Sequence, residues 1–279
     1  MGRPEVDRPR YSVIIPFFNA ERFLTECLDS VVAQTCGDWE CICVDDGSVD
    51  GGLGIVEEYA KNDARFTVLH LEHSGVGAAR NAGMEKATGK YLVFVDADDC
   101  LRPDALQSVS DETADIVTFL DVSGDGSGGR ETFDVAALCD SAYSKVFDRL
   151  AGNLLAWNAI YAREQMQGVA FPNLVNCEDL VFCAEAFSKA RTITAGVPKW
   201  YFHREVEGSA ANSHSWRRTV DSFKSVPLML LAYGRCVRGW RMRYLLVRKL
   251  TMHFILHVLC EIPRSWKELG VGIRCRGRS

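Results

Sequence analysis

Four short apolar runs, Tyr11–Ile15, Trp39–Val44, Phe66–His70 and Tyr91–Val95, constrain the fold more than any other feature of the chain. Between them lie stretches with helical periodicity. In Ala20–Gln34, for example, Phe23, Leu24, Cys27, Leu28, Val31 and Val32 fall on one face. Gly54–Lys61 and Gly75–Ala87 read as further helices. Strands that are apolar on consecutive residues must be covered on both faces. Strand-helix-strand connections of this length close right-handed crossovers, so the sequence predicts an α/β fold with a mostly parallel sheet flanked by helices. In such a sheet, ligands bind beyond the carboxyl ends of the strands.

Polar residues stand at those ends. Pro16 ends the first strand and Phe17-Phe18-Asn19 follows it; Asp45-Asp46-Gly47-Ser48-Val49-Asp50 follows the second; Asp96, Asp98 and Asp99 follow the fourth. Alone, the last group reads as a solvated turn ahead of Pro103. Three independent loops converging on one edge argue for a site instead. Clustered carboxylates repel one another unless a cation neutralises them, and hard oxygen ligands suit Mg²⁺ or Mn²⁺. Gly75-Val76-Gly77-Ala78-Ala79-Arg80 has two glycines of a dinucleotide fingerprint but Arg80 where the third belongs. It reads either as a close backbone approach with Arg80 reaching a phosphate or base, or as a tight loop with a surface arginine.

Asp115–Leu120 reads as another strand, Asp121–Gly129 as a flexible loop, Phe133–Leu150 as a helix and Arg163–Gln167 as helical. Glu178-Asp179 head an amphipathic helix, Leu180–Ala190, where acids also serve the helix dipole. Lys199–Arg204 reads as an aromatic strand ending in His203. The 11 cysteines are odd in number and several sit in apolar patterns, which predicts reduced thiols rather than a disulfide scaffold. No apolar run reaches membrane-spanning length and the N-terminus lacks a signal-peptide core, so the expectation is a cytoplasmic chain. The net charge of −5 is uneven: from Asn212 onward 14 Lys and Arg face only Asp221, Glu261 and Glu268. With no nucleic-acid module beside it, this basic segment reads either as a helix lying on the inner face of the plasma membrane or as a packed helix pair with a solvated basic face.

Taken in order, Pro16-Phe17-Phe18-Asn19, Val44–Asp50, Gly75–Asn81 and Val95-Asp96-Ala97-Asp98-Asp99 resemble the nucleotide-sugar half of family-two glycosyltransferases of the GT-A fold. Trp157-Asn158-Ala159-Ile160-Tyr161, Phe171-Pro172 and Glu178-Asp179-Leu180-Val181-Phe182 resemble the acceptor half of their bacterial polysaccharide-making members. The resemblance covers roughly residues 11–205 and implies inverting transfer from a nucleotide-sugar donor, chiefly a uridine diphosphate sugar, to a glycan or lipid-linked acceptor, with a divalent metal on the diphosphate.

Carried onto this sequence, the resemblance places Pro16, Phe18, Asn19, Asp45, Asp46, Arg80 and Asp96 around the donor, with Asp46 on the base and Asp96 near ribose and sugar. Asp98, with Asp99 beside it, would hold the metal, and His203 either reaches that metal or packs. Asp179 would be the general base and Glu178 its neighbour on the acceptor. Ala159 stands where many relatives have Lys, and His203 where many have Tyr. The expected organisation is a tail at 1–10, a donor half at 11–120, an acceptor half at 121–210 and a helical extension at 211–279. Two rivals remain: a non-catalytic nucleotide-sugar-binding subunit docking a partner at the membrane, and a sugar nucleotidyltransferase, which would need a Gly-rich N-terminal loop that Pro16–Asn19 does not provide.

Overall fold

The computed structural model of the protein describes residues 8–120, 122, 129–135, 137, 146, 155–175, 177–204, 224, 225, 227, 228 and 231. The first half alternates as expected: β1 (Tyr11–Phe17), α1 (Glu21–Val32), β2 (Trp39–Asp45), α2 (Gly52–Asn62), β3 (Phe66–His70), α3 (Val76–Lys86) and β4 (Tyr91–Phe94). The second half adds the short strands β5 (Cys100–Leu101), β6 (Ile116–Thr118), β7 (Glu131–Asp134) and β8 (Ala159–Ala162), then α4 (Glu178–Lys189), β9 (Thr192–Ala195) and β10 (Tyr201–Phe202).

Eight strands form one sheet in the order β3-β2-β1-β4-β8-β6-β9-β7, and β5 pairs with β10 apart from it. β1 to β4 are parallel, β8 runs antiparallel between β4 and β6, and β7 is antiparallel to β9. The sheet is thus mixed but mostly parallel. Side chains alternate across it. Ile14, Ile42, Val44, Leu92 and Phe94 join Ala79, Phe182 and Phe187 in one core, while Val13, Ile15, Cys41, Cys43 and Val93 join Leu24, Leu28, Val31 and Val56 in the other. This two-sided burial is what the unbroken apolar runs required. On the first face α3 lies so close to β1 that a Cβ at Gly83 would stand 2.4 Å from Cγ2 of Ile14.

Three elements differ from the sequence reading. Pro16 does not end β1; it lies inside it, opposite Val44. Proline is tolerated there because its missing N–H faces the β4 side, where pairing has already stopped at Ile14–Phe94. Phe133 does not begin a helix. Glu131–Asp134 is an edge strand whose one buried side chain is Phe133, held by pairing with β9, a partner about sixty residues away that local pattern cannot reveal. The remainder of the expected 133–150 helix lies outside the described residues, apart from isolated positions. Within 163–167 the backbone forms a single 3-10 turn, Arg163–Met166. The basic extension also lies outside the described residues, except that Lys224, Ser225, Pro227, Leu228 and Leu231 are helical. Among the described residues no helix is long and apolar enough to cross a membrane. The described cysteines, Cys27, Cys36, Cys41, Cys43, Cys100, Cys177 and Cys183, are all free.

Candidate active site

The carboxyl ends of β1 and β2 are tied together before anything else binds there. Asn19 adopts φ 50 and locks the loop after β1 onto the loop after β2: its N–H donates to Ser48 Oγ at 3.0 Å and its side chain accepts from Val49 N–H at 2.9 Å. Asp45 is fully buried and accepts from Ser48 N–H at 2.9 Å and from His70 Nδ1 at 2.7 Å. Burial raises its carboxyl, but these hydrogen bonds outweigh burial and leave it below the usual range. Asp46 accepts from the N–H groups of Ser74 and Gly75 at 2.8 and 2.9 Å and pairs with His73 at 2.9 Å. Gly75, at φ 96, supplies the left-handed turn that aims those N–H groups at Asp46. Asp45 and Asp46, two of the three aspartates expected around the donor, therefore organise loops in this structure. Phe18 is 45% exposed and stacks on the ring of His73 at 4.2 Å.

The acids after β4 divide in the same way. Asp99 has no exposed side-chain surface. It accepts from Tyr201 hydroxyl at 2.7 Å, His203 Nδ1 at 3.1 Å and Arg204 N–H at 2.7 Å. In this arrangement the Asp99 oxygens seat β10 and orient His203. Tyr201 hydroxyl also accepts from Asp96 N–H at 3.0 Å, so β10 is fastened to both ends of the acidic loop. The His203 ring stacks parallel on Trp157 at 5.5 Å. Asp98, by contrast, lines an open pocket of about 220 Å³ with Glu26, Cys100, Phe202, His203 and Arg204. Burial raises the Asp98 carboxyl, and the charges of Asp99 and Asp96 raise it further.

This donor set fits a divalent cation. Asp98 offers a hard carboxylate, raised first by burial and then by the charges of Asp99 and Asp96, and His203, with Nδ1 held by Asp99, leaves Nε2 free of that bond. A carboxylate behind a histidine is the usual support of a metal-bound imidazole. Among the described residues no group of three or more His, Cys, Asp or Glu is placed to hold a metal ion. Mg²⁺ and Mn²⁺ commonly take one or two protein ligands and complete the shell with phosphate oxygens and water.

Arg80 is the side chain the sequence left most ambiguous. It is 4% exposed, and its guanidinium joins three carboxylates: Nη2 to Asp96 at 2.8 Å, Nη1 to Glu178 at 3.2 Å and Nη1 to Asp179. Its flat face lies over Phe171, 5.2 Å from the ring centre. The same helix grips the neighbouring chain segment. Asn81 exchanges two hydrogen bonds of 2.9 Å with the Phe171 backbone, and a Cβ at Gly77 would stand 3.3 Å from both Phe171 Cβ and Pro172 O. The close approach foreseen at the glycines is to Phe171 and Pro172, which lead into α4. Cys177, at φ 64, turns the chain so that Glu178 and Asp179 open that helix. Burial raises the Asp179 carboxyl, Arg80 pulls it down, and Glu178 and Asp96 push it up again, leaving it at about 7.

His73 and Tyr201 escaped the sequence reading as site residues, since their contacts are made across the fold and no local pattern marks them, and Trp157 was read only as part of a motif, with no contact to His203 foreseen. With the geometry in hand, residues 12–159 match the sequence model of Glycosyl transferase family 2. The chain belongs to this family. A family relative, the poly(ribitol-phosphate) beta-glucosyltransferase of Bacillus spizizenii, is 33% identical over 208 residues, covering 70% of this chain and 32% of that protein. The first curated relatives are longer than the aligned part, which spans 62%, 25% and 37% of their lengths. Among solved structures, TarS of S. aureus in complex with UDP-GlcNAc superposes with a TM-score of 0.71 at 22% identity, covering 95% of this chain and 76% of that one. A mannosyltransferase of Pyrobaculum calidifontis, solved with GDP-Man and Mn²⁺, gives 0.54 at 16% identity, covering 91% and 84%. These likenesses establish the GT-A type of fold.

Proposed function

We propose that the protein transfers a sugar from a uridine diphosphate donor to a hydroxyl of a glycan or lipid-linked acceptor, with inversion at the anomeric carbon and with a divalent metal bound at Asp98 and His203. The observation that carries this reading is the meeting of two groups of acids from distant parts of the chain. Asp96, at the end of β4, and Asp179, at the start of α4, share one guanidinium.

On this reading the acceptor hydroxyl gives its proton to an Asp179 oxygen as its own oxygen bonds the anomeric carbon. The bond from that carbon to the diphosphate oxygen breaks on the opposite side, and the diphosphate leaves with the electron pair. A carboxyl raised to about 7 by burial is matched to taking a proton near neutral pH. The metal, when bound, supplies Lewis-acid stabilisation of the leaving diphosphate. Asp98 and His203 would hold it, with His203 kept in place by its hydrogen bond to Asp99 and its stacking on Trp157. The exposed Phe18 ring, backed by His73, is suited to stacking against the base. Asp45, Asp46 and Asn19 keep the base-side loops closed, and Asp96 faces the donor sugar. The donor half at 11–120 and the acceptor half at 121–210 are then joined through α3.

Asp179→Asn tests the reading. It should keep metal-dependent binding of uridine diphosphate but lower turnover by about a hundredfold or more, the scale of a lost general base. Normal turnover in Asp179→Asn alongside a crippled Glu178→Gln would transfer the role to Glu178.

A further inference from the structure

The nucleotide site was the expected destination of Arg80, yet its terminal nitrogens are both engaged elsewhere. Nη2 is held by Asp96 and Nη1 by Glu178 and Asp179, while Nε has no partner among the described residues. The side chain is clamped between that fork and the Phe171 ring, which in turn stacks on Phe182 of α4 at 4.0 Å. An arginine that is almost fully buried, packed on one face and bonded at its terminal nitrogens is not free to swing onto a diphosphate. We infer that Arg80 is a positioning residue that fixes the general base against the donor-side carboxylate Asp96, and that it makes no nucleotide contact. This rests on the assignment of Asp179 as the base.

The planar fork explains why the residue is arginine. Two nitrogens reach carboxylates on different elements at once, whereas an ammonium is a single point charge. The grip sets the distance between α4 and the end of β4, and with it the separation of base and donor carbon. It also controls the charge seen by Asp179. The groups facing Asp179 are Arg80 from α3, Asp96 beyond β4, Tyr161 from β8, and Glu178 and Cys183 from its own helix. Burial raises both Tyr161 and Cys183 far enough to keep them neutral, so Arg80, Asp96 and Glu178 supply the charge that acts on the base. Arg80 alone among them favours the ionised carboxylate. Without it three acids face one another in a largely buried space.

The test is the pH dependence of kcat for the full chain, at saturating Mn²⁺ and saturating donor. Arg80→Gln should move the acid limb upward by about one pH unit or more, the scale of losing an adjacent opposite charge. Arg80→Lys should return the limb towards its original position yet leave kcat reduced about tenfold or more, because charge is restored and the two-point grip is not. Glu178→Gln should move the limb the other way, to lower pH. In all three, the KM for donor should stay within about threefold of the original, since no nucleotide contact has been lost. A limb that stays in place in Glu178→Gln while donor KM rises well beyond threefold in Arg80→Lys would overturn the inference and return Arg80 to the nucleotide. Should Arg80→Gln fail to fold, the other two variants still decide between these outcomes. Activity retained in Asp179→Asn would instead sink the base assignment, a failure distinguishable from either.

Discussion

Replacing Asp99 by Asn separates a ligand from the residue that orients a ligand. The carboxylate accepts three hydrogen bonds, from Tyr201 hydroxyl at 2.7 Å, Arg204 N–H at 2.7 Å and His203 Nδ1 at 3.1 Å. Asparagine fits the same space, and its oxygen can keep the bond from Arg204. Its NH₂ then faces Tyr201, whose oxygen can accept, and His203, whose Nδ1 must become an acceptor. That moves the ring proton to Nε2, the nitrogen that would face the metal. Two consequences of different size follow. Exchanging charge-assisted bonds for neutral ones in a buried site should lower stability by about 1–3 kcal/mol. Loss of the supporting carboxylate should weaken Mn²⁺ binding about 10- to 100-fold, or roughly 1.4–2.7 kcal/mol. Calorimetric titration of Mn²⁺ in the presence of uridine diphosphate reads the second effect and thermal unfolding the first. His203→Ala should reproduce the metal loss, and Asp98→Asn should abolish metal-dependent binding altogether. Wild-type Mn²⁺ affinity in Asp99→Asn together with a marked loss in His203→Ala would refute the reasoning. So would an Asp99→Asn variant as impaired as Asp98→Asn with His203→Ala unaffected, which would make Asp99 itself the ligand.

Gly83→Ala places a methyl where Ile14 Cγ2 already stands 2.4 Å away, and it should destabilise the fold by about 1–3 kcal/mol despite the better helix propensity of alanine. An unchanged or raised midpoint of thermal unfolding would show that β1 and α3 separate more easily than their packing suggests. The basic C-terminal segment, with 14 Lys and Arg from Asn212 onward, should carry the protein onto anionic vesicles at low salt and release it at high salt. Truncation near Ser215 should abolish sedimentation with such vesicles, and equal sedimentation of both forms would show that the segment does not bind them.

The parallel half of the fold was legible because its signals are local. Strands β1 to β4 are apolar on both faces, α1 carries a continuous stripe, and the polar residues after each strand had only one edge on which to gather. The gathering of acids at that edge was legible too, since buried strands seldom end in carboxylates without a use for them. What the sequence could not decide was which acid does what. Asp45, Asp46 and Asp99 look like Asp96 and Asp98 when read along the chain, yet in the fold the first three accept hydrogen bonds from backbone N–H groups, histidines and a tyrosine, Asp96 is held by Arg80, and Asp98 lines the open pocket. Arg80 shows the same limit, because its partners at Glu178 and Asp179 lie about a hundred residues away. β7 and β8 were missed for a related reason: each is a four-residue strand whose conformation is stabilised by pairing with a distant strand more than by its own side chains. Periodicity and residue type are properties of a segment and survive in the sequence. Hydrogen-bond partnership and desolvation are properties of a place, and that place exists only once the sheet, α3 and α4 have closed around it.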